Sequence, residues 1–146
     1  MDRPLVAAVC FRLKDGEIEF LLVRTRSGRW TFPKGGVDGD PTFAAAAARE
    51  AYEEAGVRGR VETSRFFRYR YPKRDSLRNG RTREITIDAH LCRVFERENP
   101  PEAHRDPTWF CMEKAKRRLR EGRSLKYAEE LALVVDAAAL RILRRY

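Results

Sequence analysis

The sequence is poor in the side chains that build disulfide frameworks and soft-metal sites, with three cysteines and two histidines in 146 residues. Cys10, Cys92 and Cys111 are odd in number, widely spaced and form no C-x-x-C pair, which argues against both a disulfide framework and a zinc site. They are expected to be reduced packing residues. His90 and His104 have no partner at a metal-ligand spacing, and His90 is expected on the polar face of its strand. No apolar run approaches the roughly 18 residues that a membrane span needs, and no basic-then-apolar leader opens the chain. The expectation is a cytoplasmic protein with no membrane partner. Internal repeats are absent, and the alanine run Ala44 to Ala48 is the only low-complexity stretch. A chain of 17.0 kDa without a linker fits one domain, residues 1–146.

Charge is what the chain has in excess. Charged residues make up 36% of it, with a formal net charge of +9 and a sequence pI near 9.9. Their distribution says more than the total. Arg68, Arg70, Lys73, Arg74, Arg78, Arg81 and Arg83 stand against a single Asp75, in what reads as a strand-to-strand connection containing Asn79-Gly80. A second basic cluster runs from Lys114 to Lys126, and a third comprises Arg24, Arg26 and Arg29. Guanidinium forks grip phosphate oxygens in pairs, so these clusters point to a polyphosphorylated partner or to nucleic acid. Tyr69 and Tyr71 alternate with Arg68 and Arg70 as a base-stacking surface would, but alternation serves core packing equally well. No recognised nucleic-acid-binding motif is present, so nucleic acid is not favoured.

The apolar pattern gives alternating element types. Leu5–Leu13 and Ile18–Arg24 flank Lys14-Asp15-Gly16, a β-hairpin signal, and a short strand follows at Trp30–Phe32. Val61–Tyr71 and Glu84–Phe95 read as two paired strands. In the second, Ile85, Ile87, Ala89 and Leu91 alternate with Glu84, Thr86, Asp88 and His90. Asn99-Pro100-Pro101 breaks the chain, and Trp109-Phe110 suggests a last short strand. Helices are expected over Glu113–Glu121 and from Leu125 to about Arg144. Strands first, one helix inserted and helices at the end give an α/β fold with a mixed sheet between helices.

The inserted helix carries the chemistry. Asp40 is a good N-cap, Pro41 suits the first helical position, the alanines favour helix and Gly56 stops it. Glu50, Glu53 and Glu54 then crowd one face of the last two turns, where like charges repel by a few tenths of a kcal/mol per pair. A cation should compensate. Hard oxygen ligands suit Mg²⁺ or Mn²⁺, which typically takes one or two carboxylates plus substrate phosphates. Upstream, Lys34-Gly35-Gly36 reads as a glycine turn that allows close approach of the backbone to an anion or metal.

This segment resembles the Nudix box, G-x5-E-x7-R-E-U-x-E-E-x-G-U with U a bulky apolar residue. Gly35, Arg49-Glu50, Glu53-Glu54 and Gly56-Val57 match it in register, while the first glutamate position holds Pro41 and the first U holds Ala51. Asp38 and Asp40 are the acids nearest the missing glutamate. The resemblance implies the Nudix α/β/α sandwich across nearly the whole chain. It implies a metal held by Glu50, Glu54, Glu53 and the Gly35 backbone, Glu53 as proton acceptor, and Arg49 holding the glutamates through salt bridges.

Within the family the chain is most similar to diphosphoinositol polyphosphate phosphohydrolases, through Cys10-Phe11-Arg12, Trp30-Thr31-Phe32-Pro33, Trp109-Phe110 and Glu113-Lys114-Ala115. On that likeness Lys34, Arg105 and Arg123 are substrate contacts, with Arg24, Arg26, Arg78, Arg81, Arg83 and Arg3 as further candidates. The implied activity is metal-dependent hydrolysis of a phosphoanhydride in a diphosphoinositol polyphosphate, a dinucleoside polyphosphate or inorganic polyphosphate. The competing readings are a non-catalytic polyanion- or RNA-binding module with a degenerate box, and an RNA 5′-end pyrophosphohydrolase.

Overall fold

The computed structural model describes residues 4–75 and 80–146. Strand β1 (Leu5–Lys14) turns through Asp15 and Gly16, both with positive φ, into β2 (Glu17–Arg24), as the hairpin signal predicts. Next come β3 (Trp30–Thr31), β4 (Lys34–Gly36) and helix α1 (Phe43–Ala55). The chain continues with β5 (Val57–Val61), β6 (Phe67–Asp75), β7 (Arg81–Arg97), β8 (Thr108–Cys111), α2 (Met112–Arg120) and α3 (Leu125–Arg145).

The sheet order is β3-β2-β1-β7-β5, with β4 on β1, β6 on β7 and β8 on β2. The β1–β7 pair is parallel and its neighbours are antiparallel, so the sheet is mixed. Helix α1 covers one face through Ala46, Ala47, Ala51 and Ala55 against Val6, Ala8, Cys10, Leu21 and Val23. On the other face Phe11, Phe20, Phe32, Ile87 and Leu91 meet Leu119 of α2 and Leu131, Val134 and Ile142 of α3. Alternation along β1 sends successive side chains to the two layers, which is why Val6 to Phe11 are all buried. No helix among the described residues is long and apolar enough to cross a membrane.

Several expectations are corrected. Val61–Tyr71 is not one strand, because β7 is 17 residues long and pairs with β5 along its C-terminal half and with β6 along its N-terminal half. Residues 62–66 carry the chain between those two ladders. The basic segment is a hairpin ladder rather than a loop, since Lys73 opposes Arg83 and Asp75 opposes Arg81. Of its candidate contacts, Arg78 lies outside the described residues, as does Arg3. Lys34–Gly36 is a short strand antiparallel to β1, not a turn, and neither glycine has positive φ.

His90 lies on the expected face of β7, but it is buried there, and its Nδ1 hydrogen-bonds the Glu62 carbonyl at 3.0 Å. All three cysteines are free thiols, with Cys10 and Cys92 paired across β1 and β7 in the core.

Tyr69 is a core residue, fully buried beside Phe32 at a ring separation of 6.4 Å. Its hydroxyl has no hydrogen-bond partner among the described residues. A buried hydroxyl without a partner costs roughly 1–3 kcal/mol of desolvation. Tyr69→Phe is therefore expected to raise stability by about 1 kcal/mol, read from the midpoint of urea unfolding at unchanged slope. An unchanged or lower midpoint would mean that the hydroxyl is satisfied in solution.

Candidate functional site

Helix α1 begins with Thr42 as N-cap, its hydroxyl accepting from the Ala45 amide at 3.0 Å, not with Asp40 as expected. Asp40 is unavailable because Arg49 holds it: Nη2 lies 2.9 Å from Oδ2, and Nε 3.2 Å from both oxygens. The same guanidinium donates to the Gly36 carbonyl at 2.9 Å and reaches Glu50 at 3.4 Å and Glu53 at 3.3 Å. One planar fork thus ties the approach loop, β4 and two box glutamates together. Because Pro41 occupies the first box glutamate position, Asp40 is the carboxylate that orients Arg49 in this chain. Asp40→Asn should lower turnover about tenfold by loosening that fork, by analogy with outer-shell partners of metal ligands. Wild-type steady-state rates for the variant would remove Asp40 from the site.

The helix ends at Gly56 in the left-handed region (φ 67), where a β-carbon would lie 1.8 Å from the Glu98 carbonyl oxygen. This stop leaves Glu50, Glu53 and Glu54 on the last two turns. Glu50 and Glu54 are buried, whereas the Glu53 side chain is 38% exposed. Gly35 makes room for Glu50: a β-carbon there would sit 1.8 Å from Glu50 Oε2. The glycine is required by close approach, not by backbone conformation. Burial pushes the Glu50 carboxyl up to about 7, against the opposing pull of Arg49. Burial raises Glu54 to about 7 as well, opposed by Arg105 and Lys34.

Glu54 accepts a 3.4 Å hydrogen bond from the Lys34 amide and faces Arg105 Nη2 at 3.7 Å. Arg105 is 19% exposed and also holds Glu102 at 2.8 Å, while the Glu102 amide donates to the Glu53 carbonyl at 3.2 Å. Glu102 is a fourth carboxylate at the box, and it adds to the charge that opposes ionisation of Glu50 and Glu54. Its sequence position after Pro100-Pro101 carries no motif, so only the fold reveals it.

Beside the acids runs a cationic wall. Lys34 Nζ donates to Thr31 Oγ1 at 3.2 Å and lies 4.7 Å from the Tyr71 ring centre. Arg123 donates to the Leu119 carbonyl at 2.8 Å, and its other terminal nitrogen is buried without a partner among the described residues. Burial lowers the Tyr71 phenol's acidity, yet Lys34 and Arg123 more than reverse this and hold its pKa below the ordinary value. Arg123 is itself lowered, mainly by burial. Arg29 approaches from the β2–β3 turn, reaching the Gly122 carbonyl at 3.5 Å with its Nε buried and unpartnered among the described residues.

The structure therefore brings together Lys34, Gly35, Arg49, Glu50, Glu53, Glu54, Arg105 and Arg123. Arg24 is committed elsewhere, stacked 4.1 Å over Trp30 and donating to the Gly28 carbonyl at 2.9 Å. Arg26 is exposed in the turn before β3, and Arg81 and Arg83 sit at the outer end of the β6–β7 ladder. Arg29, Tyr71, Asp40 and Glu102 are the additions. Arg29 and Tyr71 could have been found only by knowing that β3, β6 and the α2–α3 turn meet.

Hard carboxylate oxygens fit a divalent cation chemically, and the space that Gly35 leaves is taken by the Glu50 carboxylate itself. Among the described residues, no three acidic, histidine or cysteine side chains converge closely enough to enclose an ion. Glu50 and Glu53 are turned towards Arg49, and Glu54 towards Lys34 and Arg105.

An acidic helix on one face of a mixed sheet and two helices on the other define an α/β/α sandwich. The family model described as NUDIX domain matches residues 2–131, and the chain belongs to the Nudix hydrolase family. Diphosphoinositol polyphosphate phosphohydrolase 2 of Rattus norvegicus is 46% identical over 57 residues, which is 38% of this chain and 31% of the relative. The chain thus matches about a third of the length of curated relatives such as this one. Among solved structures, the C. elegans Ap4A hydrolase binary complex aligns at TM-score 0.69 and 19% identity, covering 98% of this chain and 99% of the other. The NUDIX domain of Shewanella oneidensis NrtR, complexed with ADP ribose, aligns at TM-score 0.69 and 20% identity, covering 97% and 89%. These two likenesses establish the Nudix fold.

Proposed function

We propose that residues 1–146 form one Nudix domain that hydrolyses phosphoanhydride bonds in a small, densely phosphorylated substrate with the help of Mg²⁺ or Mn²⁺. Diphosphoinositol polyphosphates and dinucleoside polyphosphates are the favoured substrates. The observation that carries this reading is the juxtaposition of two buried carboxylates, Glu50 and Glu54, with the Lys34–Tyr71–Arg123 wall. One element suits a divalent cation, the other a phosphoryl group.

Glu50 and Glu54 would hold the divalent ion, which would supply charge neutralisation at the phosphate chain and make a nearby water more acidic. Glu53, the most exposed of the three, accepts the proton of the attacking water. Arg49 fixes the orientation of Glu50 and Glu53, and Arg105 fixes Glu54. Lys34, Arg123 and Arg29 offset the charge of a phosphoryl group, and the Tyr71 hydroxyl donates to it. Arg81 and Arg83 extend the positive surface along the hairpin, where a second phosphate-rich portion of the substrate is held. Arg24 and Arg26 act at longer range through their charge.

The competing polyanion- or RNA-binding reading rests on net charge and on Tyr69 and Tyr71 as stacking platforms. Tyr69 is fully buried, and Lys34 covers the Tyr71 ring, so neither offers a free stacking surface. The deciding experiment is a panel of phosphoanhydrides, including 5′-triphosphorylated RNA, assayed with Mg²⁺, Mn²⁺ or chelator with products identified. Metal-dependent release of phosphate from one small-molecule class is the expected result. Metal-indifferent, salt-sensitive binding without turnover would overturn it.

A further inference from the structure

The outer face of α3 shows a pattern that the hydrolytic site does not use. Leu133 and Leu140 are 52% and 59% exposed. At about 100° per residue, Glu129, Leu133, Asp136, Ala137, Leu140 and Arg144 fall within roughly 50° of one line along the helix. They are also placed symmetrically: Glu129 and Arg144, Leu133 and Leu140, and Asp136 and Ala137 are equidistant from the peptide bond joining residues 136 and 137. A helix face with that arrangement is complementary to its own antiparallel copy.

We propose that this face is a homodimer interface in which α3 of a second copy lies antiparallel along it. Leu133 of each copy then opposes Leu140 of the other, and Glu129 opposes Arg144, twice over by symmetry. Glu129 and Arg144 are exposed and have no hydrogen-bond or ion-pair partner within the chain among the described residues. Their neighbours are already engaged: Arg141 and Arg145 hold Glu62 at 2.7 and 3.6 Å, and Lys116 holds Asp136 at 2.8 Å.

A receptor for the incoming leucine is present as well. A cavity of about 260 Å³ is bounded by Phe66, Ala137, Leu140, Arg141, Arg144 and Arg145. Residues 137, 140, 141 and 144 have the i, i+3, i+4, i+7 spacing of the hole that accepts one side chain of a facing helix. In the antiparallel register that side chain is Leu133 of the second copy. One helix face buries less than a standard interface, so the dimer is weak and reversible, with a dissociation constant on the order of micromolar or above.

Sedimentation velocity of the full chain from micromolar to millimolar concentration tests this. Wild type should pass reversibly from monomer to dimer, and Leu140→Glu should remain monomeric over the same range. Glu129→Arg and Arg144→Glu, each placing like charges opposite one another twice, should weaken association by about tenfold. The double variant Glu129→Arg/Arg144→Glu should recover wild-type association, since the pairs are restored with their signs exchanged. A wild type that stays monomeric throughout, or a dimer indifferent to Leu140→Glu, overturns the interface. A double variant as weak as the single ones overturns the antiparallel register. Circular dichroism of each variant separates lost association from lost fold.

Discussion

Glu53→Gln should lower kcat on the best phosphoanhydride substrate by a factor on the order of 10²–10⁴, the usual contribution of a positioned general base. The substitution keeps the shape of the side chain and removes its charge and its ability to accept a proton from water. Little structural cost is expected. The Glu53 side chain is 38% exposed and makes a 3.3 Å ion pair with Arg49 at i, i+4 spacing, a contact worth about 0.3–0.5 kcal/mol. The thermal midpoint should therefore stay within a degree or two. Initial rates at saturating Mg²⁺, with differential scanning calorimetry on the same preparation, check both halves. Near wild-type kcat would move the proton-accepting role to another carboxylate, and Glu102 would be the first to examine, because its amide is hydrogen-bonded to the Glu53 carbonyl.

How much of this could be read beforehand depends on whether the information is local. The hairpin at Asp15-Gly16, the α1 stop at Gly56 and the stacking of three glutamates follow from turn chemistry and helical period, and the structure places them where those rules put them. The missed features depend on long-range contacts. Asp40 has every local mark of an N-cap, yet a guanidinium nine residues on claims its carboxylate, and Thr42 takes the cap instead. His90 alternates as a polar-face residue should, but local alternation cannot tell that the chain at Glu62 meets it and leaves it buried. Gly35 shows the same limit in another form. The sequence reading assigns it to a turn, whereas its backbone is strand and its missing side chain admits a carboxylate from α1. Arg29 lies three residues from Arg26, and nothing in its neighbours distinguishes it from Arg26, which remains exposed.

Glu50 and Glu54 should behave differently from Glu53, because they are buried. Their carboxyls lie near 7 in the folded protein, raised by burial above an unfolded value near 4.5. The folded state thus binds more protons than the unfolded one between these two values. In the metal-free protein their effect on stability is most favourable below about 4.5, declines as pH rises towards 7 and is a constant penalty above that. The penalty is on the order of 1–3 kcal/mol per carboxylate. Other ionisable groups contribute to the pH dependence of both proteins alike, so the measurable quantity is the difference between variant and wild type.

With chelator present, Glu50→Gln/Glu54→Gln should unfold at higher temperature than wild type at pH 8, and the gap should close as pH falls towards 5. Turnover should drop at least as far as in Glu53→Gln. Mg²⁺ or Mn²⁺ should stabilise wild type against heat and leave the double variant unmoved, since an ion that binds only the folded state raises its stability by mass action. Parallel pH curves for the two proteins would show that the carboxylates are solvated rather than buried. An equal thermal response to metal would show that the cation is held elsewhere. The functional site would then be a place where stability is sacrificed for activity only if neither result appears: two acids kept against their own ionisation, and released from that strain by the charge they are there to meet.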